Sequence, residues 1–167
     1  MHRLEVTNPF DGSPVGEVKL SSASEVDTAL AIAEKTHKAN KKGLPKHERI
    51  AVLKNTAEIM KGRADELALL IASEGGKPLI DAKVEVERAI DGVETCAAEI
   101  ANNAGMEIPM DLTSAGEGKI AFTTKEPIGL VVAVSAFNHP LNLIVHQVAP
   151  AVACLLYTSD AADEGSS

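Results

Sequence analysis

Ile128-Gly129-Leu130-Val131-Val132-Ala133-Val134-Ser135 runs through Ala136-Phe137-Asn138-His139-Pro140 into Leu141-Asn142-Leu143-Ile144-Val145-His146-Gln147-Val148-Ala149-Pro150-Ala151-Val152-Ala153. The opening run is nearly all apolar and rich in valine, as expected for a strand buried on both faces. Phe137-Asn138-His139-Pro140 has the chemistry of a turn, and Leu141 to Ala153 reads as a helix with Pro150 as an expected kink. A buried strand that turns at once into a helix is the first βα half of a parallel-sheet unit. The fold class is therefore read as α/β.

Upstream, the pattern is mainly helical. Val86, Ile90, Val93, Ala97 and Ile100 recur at helical period between Leu79 and about Asn103, with Glu85, Glu87, Arg88 and Asp91 expected on a solvated face. Before that helix, Glu74-Gly75-Gly76-Lys77-Pro78 reads as a helix stop and turn. It lacks the glycine spacing and the Ser/Thr of a phosphate loop. Helices are expected from about Ala64 to Ser73, with Leu67, Leu70 and Ile71 inward, and from near Pro45, with Ile50, Leu53, Ala57 and Met60 on one face. Ser22 followed by Glu25 is a capping box, which starts a helix from about Ala23 to Asn40. The first residues, Leu4 to Leu20, hold Asn8-Pro9-Phe10-Asp11-Gly12 between two short extended runs, and Lys119 to Lys125 reads as another strand.

The composition sets bounds on function. The formal charge is −8 and aromatic residues make up 2% of the chain, with no tryptophan. A nucleic-acid binder needs a basic face and, for single strands, stacking platforms, so nucleic acid is not expected as a partner. No apolar stretch reaches the length of a membrane span and the N-terminus has no signal-peptide core, so a cytoplasmic protein without membrane contact is expected. Cys96 and Cys154 are far apart and form no CxxC pair, which argues against a disulfide framework. His2, His37, His47, His139 and His146 show no ligand spacing, so no metal site is expected.

Lys125-Glu126-Pro127-Ile128-Gly129-Leu130-Val131-Val132-Ala133-Val134-Ser135-Ala136-Phe137-Asn138-His139-Pro140-Leu141 resembles the aldehyde dehydrogenase superfamily segment of the form EPIGVV..I.PFNFPL. His146 to Ala153 resembles that family's helix ending in PALA. Asn8-Pro9-Phe10-Asp11-Gly12, Glu74-Gly75-Gly76-Lys77-Pro78 and Glu85-Val86-Glu87-Arg88-Ala89 follow the family's order and approximate spacing. The resemblance covers about residues 5 to 153. It implies the N-terminal helical part and first βα unit of a Rossmann-like cofactor domain, truncated. Residues 1–153 would then be a partial NAD(P)-binding domain, with an oligomerisation strand region at about 114–126.

In that family a cysteine thiolate attacks an aldehyde, hydride leaves to NAD or NADP, and a glutamate activates water to release the acid. The resemblance places neither that cysteine nor that glutamate in this chain; Cys96 reads as an inert core thiol. It implies that Asn138 donates its side-chain NH2 to the oxygen that gains charge during attack. Val134, Ser135, Ala136 and Phe137 match positions lining the dinucleotide groove, with Ala136 where the family usually has proline. His139 stands where an aromatic is commoner, and no role is assigned to it. The implied substrate is a small-molecule aldehyde, with Ile108-Pro109-Met110-Asp111 and the Asn138–Asn142 region resembling branches that act on small polar aldehydes, such as lactaldehyde or glyceraldehyde 3-phosphate. A homodimer or homotetramer is implied for the parent enzyme.

After Ala153 the resemblance stops. Cys154-Leu155-Leu156-Tyr157-Thr158-Ser159-Asp160-Ala161-Ala162-Asp163-Glu164 looks like the in-frame translation of a sequencing adaptor, so residues 154–167 are expected to be a non-native tail. Without the partners of the valine-rich strand, the isolated chain is expected to fold poorly and to lack dehydrogenase activity. The alternatives are an acylating, CoA-dependent aldehyde dehydrogenase, a catalytically dead relative, or a non-catalytic helical interaction module. A nicotinamide cofactor titration separates the last from the others.

Overall fold

The computed structural model describes residues 3–40, 43–154 and 157–160, the last for backbone only. His2 and most of the expected non-native tail (155–156 and 161–167) therefore lie outside the described residues.

Strands β1 (Arg3–Thr7) and β2 (Pro14–Lys19) form an antiparallel hairpin in which Leu4 faces Val18 and Val6 faces Gly16. Its loop folds on its own side chains: the Asn8 carboxamide oxygen accepts from Phe10 N, and the Asp11 carboxylate accepts from Ser13 N, each at 2.9 Å. Helix α1 (Ala23–Ala39) begins with the expected capping box. Helices α2 (Lys46–Gly62), α3 (Ala64–Gly75) and α4 (Leu79–Glu99) follow.

The core is built around α4, which packs against α2, α3 and α5 (Pro140–Ala153). Ala82, Ala89 and Ala97 are buried on its stripe and let neighbouring helices approach. A side-chain carbon added at Gly92 would lie 3.3 Å from Val145 Cγ1, so α5 crosses α4 tightly there. Val86 and Ile100, each 1% exposed, contribute about 1.5–3 kcal/mol apiece by leaving water.

Two expectations about helix faces are corrected. Leu70 is 44% exposed, while Ala68 and Ile71 are buried. At 100° per residue, Leu70 lies roughly a third of a turn from the centre of the stripe formed by Leu67, Ala68 and Ile71. Glu85, placed on the solvated face, is 1% exposed; it follows Ala82 by one turn and precedes Ala89 by one, so the buried stripe includes it. Glu87, Arg88 and Asp91 are exposed as expected.

Downstream, β3 (Glu107–Ile108) pairs antiparallel with β4 (Ala121–Phe122), a shorter ladder than the Lys119–Lys125 strand expected. Thr123 N donating to Met106 O at 2.8 Å adds one rung. Strand β5 (Leu130–Ala133) is likewise shorter than the expected Ile128–Ser135. Nor is it buried on both faces: Val132 is 48% exposed and Ala133 fully buried. The reason is the number of its neighbours. Among the described residues β5 pairs with one strand, β6 (Tyr157–Asp160), in parallel register from Leu130–Tyr157 to Ala133–Asp160. β6 lies within residues 154–167, the segment expected from the sequence to be a non-native tail; through it β5 and α5 take the form of a βαβ unit.

Candidate active site

β5 delivers the chain to its carboxyl end, and residues 134–139 turn it into α5. Val134, Ser135, Ala136, Phe137 and Asn138 therefore form one continuous loop at the edge where open α/β sheets place their ligands. Val134 is 64% and Phe137 87% exposed, Ala136 and Asn138 are exposed, and Ser135 is half-buried. A cavity of about 640 Å³, lined in part by Lys46, Arg49, Lys125 and Cys154, shares no residue with this loop.

The loop's backbone is held at three places. At its start, the Gln147 side chain closes a two-point clamp: Val134 N donates to Oε1 at 2.8 Å, and Nε2 donates to Val134 O at 2.7 Å. In the middle, Ser135 Oγ donates to Pro140 O at 2.9 Å. At its end, Glu85 reaches across from α4. Its Oε1 accepts from Leu141 N at 3.0 Å and Asn142 N at 3.2 Å.

This last contact completes the start of α5. The first helical position is Pro140, which has no N–H, and the capping residue His139 makes no side-chain cap. The next two N–H groups would be orphaned without a partner. Glu85 supplies it from 56 residues away.

Lys77 completes the arrangement. Its ammonium has three protons, and three acceptors lie around it: Glu85 Oε2 at 2.5 Å, His139 Nδ1 at 2.8 Å and Asn138 O at 3.0 Å. His139 Nδ1 also lies 3.3 Å from Glu85 Oε2; an ammonium only donates, so in its contact with Lys77 Nδ1 is the acceptor. The Lys77 side chain is 16% exposed and that of Glu85 0%. Burial pushes the Glu85 carboxyl up, but the Lys77 ammonium and the two α5 N–H groups outweigh it. The net effect holds Glu85 below its ordinary value.

Lys77 is aimed by the turn before it. Gly76 closes α3 in the left-handed conformation, with φ of 63°. A side-chain carbon there would meet Pro9 Cγ at 2.8 Å, so Pro9 of the β1–β2 loop seats directly on the turn. Three motifs far apart in sequence, around Asn8, Gly76 and Glu85, thereby converge beneath the Asn138 loop.

The site as read from sequence lacked Glu85, Lys77, His139 and Gln147. The one signal for Glu85 was its helical spacing from Ala82 and Ala89. Elsewhere, Arg49 is 4% exposed and donates to Ala153 O and Leu44 O, closing the far end of α5. Burial, with a contribution from Cys154, pushes the Cys96 thiol up, consistent with an unreactive thiol. Among the described residues no group of three or more His, Cys, Asp and Glu could hold a metal ion.

Residues 1–155 match the aldehyde dehydrogenase family. Aspartate-semialdehyde dehydrogenase 1 of Pseudomonas canavaninivorans is 39% identical over 150 residues, covering 90% of this chain and 32% of that protein. Lactaldehyde dehydrogenase of Methanocaldococcus jannaschii is 36% identical, with 90% and 31% covered. Aldehyde dehydrogenase 21 of Physcomitrella patens, solved with the product succinate, superposes with a TM-score of 0.89 at 34% identity, covering 95% of this chain and 33% of that one. Glyceraldehyde-3-phosphate dehydrogenase GapN of Methanocaldococcus jannaschii, solved with NADP, gives a TM-score of 0.86 at 33% identity, with 94% and 33% covered. The chain thus spans about a third of the length of the relatives it matches.

Proposed function

Because the chain belongs to the aldehyde dehydrogenase family, we propose that the complete protein oxidises an aldehyde to a carboxylic acid with NAD+ or NADP+, and that Asn138 touches the reacting atoms. The observation that carries this is the placement of Asn138. It is exposed in the turn past the carboxyl end of β5, with its own carbonyl held by Lys77. Nucleophilic attack on an aldehyde moves charge onto its oxygen. A carboxamide NH2 directed at that oxygen stabilises the transition state, which is worth about 2.7–4 kcal/mol per donor in comparable sites.

Val134, Ser135, Ala136 and Phe137 are proposed to hold the cofactor. Two exposed apolar side chains, Val134 and Phe137, flank the small residues Ser135 and Ala136, a surface that suits a flat ring or a sugar laid along the loop. When bound, the nicotinamide accepts the hydride of the oxidation. The thiol of Cys96, pushed up by burial, is not proposed as the nucleophile.

The proposed substrates are small polar aldehydes, of which lactaldehyde, named for one of the relatives, is an example. Residues 1–153 are proposed as part of the cofactor domain. The β3–β4 ribbon carries exposed Ile108 and Phe122, with exposed Ile120 just before β4, which supports a homodimer or homotetramer built through residues 114–126. No helix among the described residues is long and apolar enough to cross a membrane. A cytoplasmic setting is proposed, with no nucleic-acid partner.

Asn138→Ala in the complete protein tests the central point. Steady-state aldehyde oxidation should lose about 10²–10³-fold in kcat. An unchanged kcat would remove Asn138 from the reaction.

A further inference from the structure

We propose that Lys77 and Glu85 are positioning residues for the reaction, acting through the Asn138 turn rather than on substrate. The inference rests on the reading of Asn138 as the donor to the aldehyde oxygen. Without it, the two residues would be a buried ion pair of structural meaning only.

Asn138 sits on an exposed turn, and an exposed turn does not by itself hold a carboxamide to the tolerance catalysis requires. The backbone on both sides of it is tied to one buried carboxylate–ammonium pair. Lys77 donates to the carbonyl of Asn138 itself and to Nδ1 of the next residue, His139. Glu85 accepts from Leu141 and Asn142, three and four residues on. Neither charged group can move without carrying the turn with it, because each is bound to the other at 2.5 Å and Glu85 is fully buried within α4. Pro9, seated on Gly76, fixes the direction from which Lys77 arrives.

Lys77 uses all three protons on acceptors of the chain, and Glu85 has both oxygens engaged. This full engagement argues for positioning rather than for proton transfer. A general acid or base needs a lone pair or proton directed at substrate.

The test is a double-mutant cycle in the complete protein: wild type, Lys77→Met, Asn138→Ala and the double variant. Methionine keeps the length and most of the volume of lysine and removes every donor. Lys77→Met should lower kcat by roughly 10–100-fold, the cost of misplacing a catalytic group by a fraction of an ångström to an ångström. The aldehyde KM should stay within about twofold, because the lost interaction serves the transition state. In the Asn138→Ala background the same substitution should cost less than about twofold, since there is no carboxamide left to position.

Equal losses in both backgrounds, or no loss in either, would overturn the inference while leaving the Asn138 reading intact. No loss from Asn138→Ala alone would overturn both. If Lys77→Met does not fold, Lys77→Met with Glu85→Gln removes both charges and keeps an acceptor for Leu141 and Asn142. The same outcomes then apply to it.

Discussion

Helices α1 and α5 both begin on a glutamate that takes backbone N–H groups and pairs with a lysine, but the two arrangements are built differently. At α1 the carboxylate belongs to the helix. Glu25 accepts from Ser22 N at 2.8 Å, Ser22 Oγ accepts from Glu25 N at 3.3 Å, and Lys19 lies 2.6 Å away with both charged side chains 46% exposed. At α5 the carboxylate is lent by α4, across 56 residues of sequence, and is fully buried with its lysine at 2.5 Å. The same contacts therefore operate in two surroundings, one wet and local, the other dry and distant. In water a charge pair adds little; in the interior, removing one member strands the other.

The largest test of that contrast is Glu85→Leu. It leaves the Lys77 ammonium mostly buried without its carboxylate, and the N–H groups of Leu141 and Asn142 without an acceptor. The expected cost is about 3–5 kcal/mol, the range for breaking a buried pair. In the complete protein it should appear as a fall in Tm of several degrees. A Tm within a degree or two of wild type would show that the two caps are energetically alike after all.

A pH titration sharpens the comparison. Both carboxylates are held below the ordinary value of 4.5, Glu25 to about 2, chiefly by its Lys19 hydrogen bond. A depressed carboxylate contributes stability that is complete above its unfolded pKa and is lost as pH falls through the folded one. Stability should therefore decline below pH 4.5 through both groups. Salt distinguishes them. At about 1 M the screening length falls to roughly 3 Å, which weakens the exposed Glu25 pair and largely spares the buried Glu85 pair. Urea midpoints between pH 5 and 2.5 should thus keep a slope at high salt in wild type, and that slope should be smaller in Glu85→Gln. A slope abolished by salt alone would place Glu85 in solvent.

The same contrast explains what could be read from the sequence. The α1 cap is spelled in adjacent residues, Ser22 and Glu25, and the helix begins where they place it. The strand–turn–helix from Leu130 to Ala153 is also local, and residues 134–138 stand together at the end of β5 because they are contiguous. Glu85 was misread because a charged residue at a stripe position has no local mark saying whether a lysine and two helix N–H groups will meet it. Lys77 looked like part of a helix stop, which it is; its acceptors lie eight residues on and about sixty residues on. The length and burial of β5 were overstated for a related reason. A run of valines shows that a strand forms, whereas its exposure is decided by how many strands flank it, and the described residues supply one.

The smallest effect is expected at the cap that was easiest to read. Ser22→Ala removes the hydroxyl that accepts from Glu25 N while leaving the Glu25 carboxylate free to accept from the backbone of residue 22. N-cap truncations of this kind cost about 0.5–2 kcal/mol. The lower half of that range applies here, since Ser22 is exposed and α1 has no buried residue to transmit the loss to the core. Fraying should be confined to the first turn, seen as faster amide exchange at Ser24 and Glu25 with the α4 amides unchanged. Faster exchange in α4 as well would mean that α1 is coupled to the core more firmly than its exposed faces indicate.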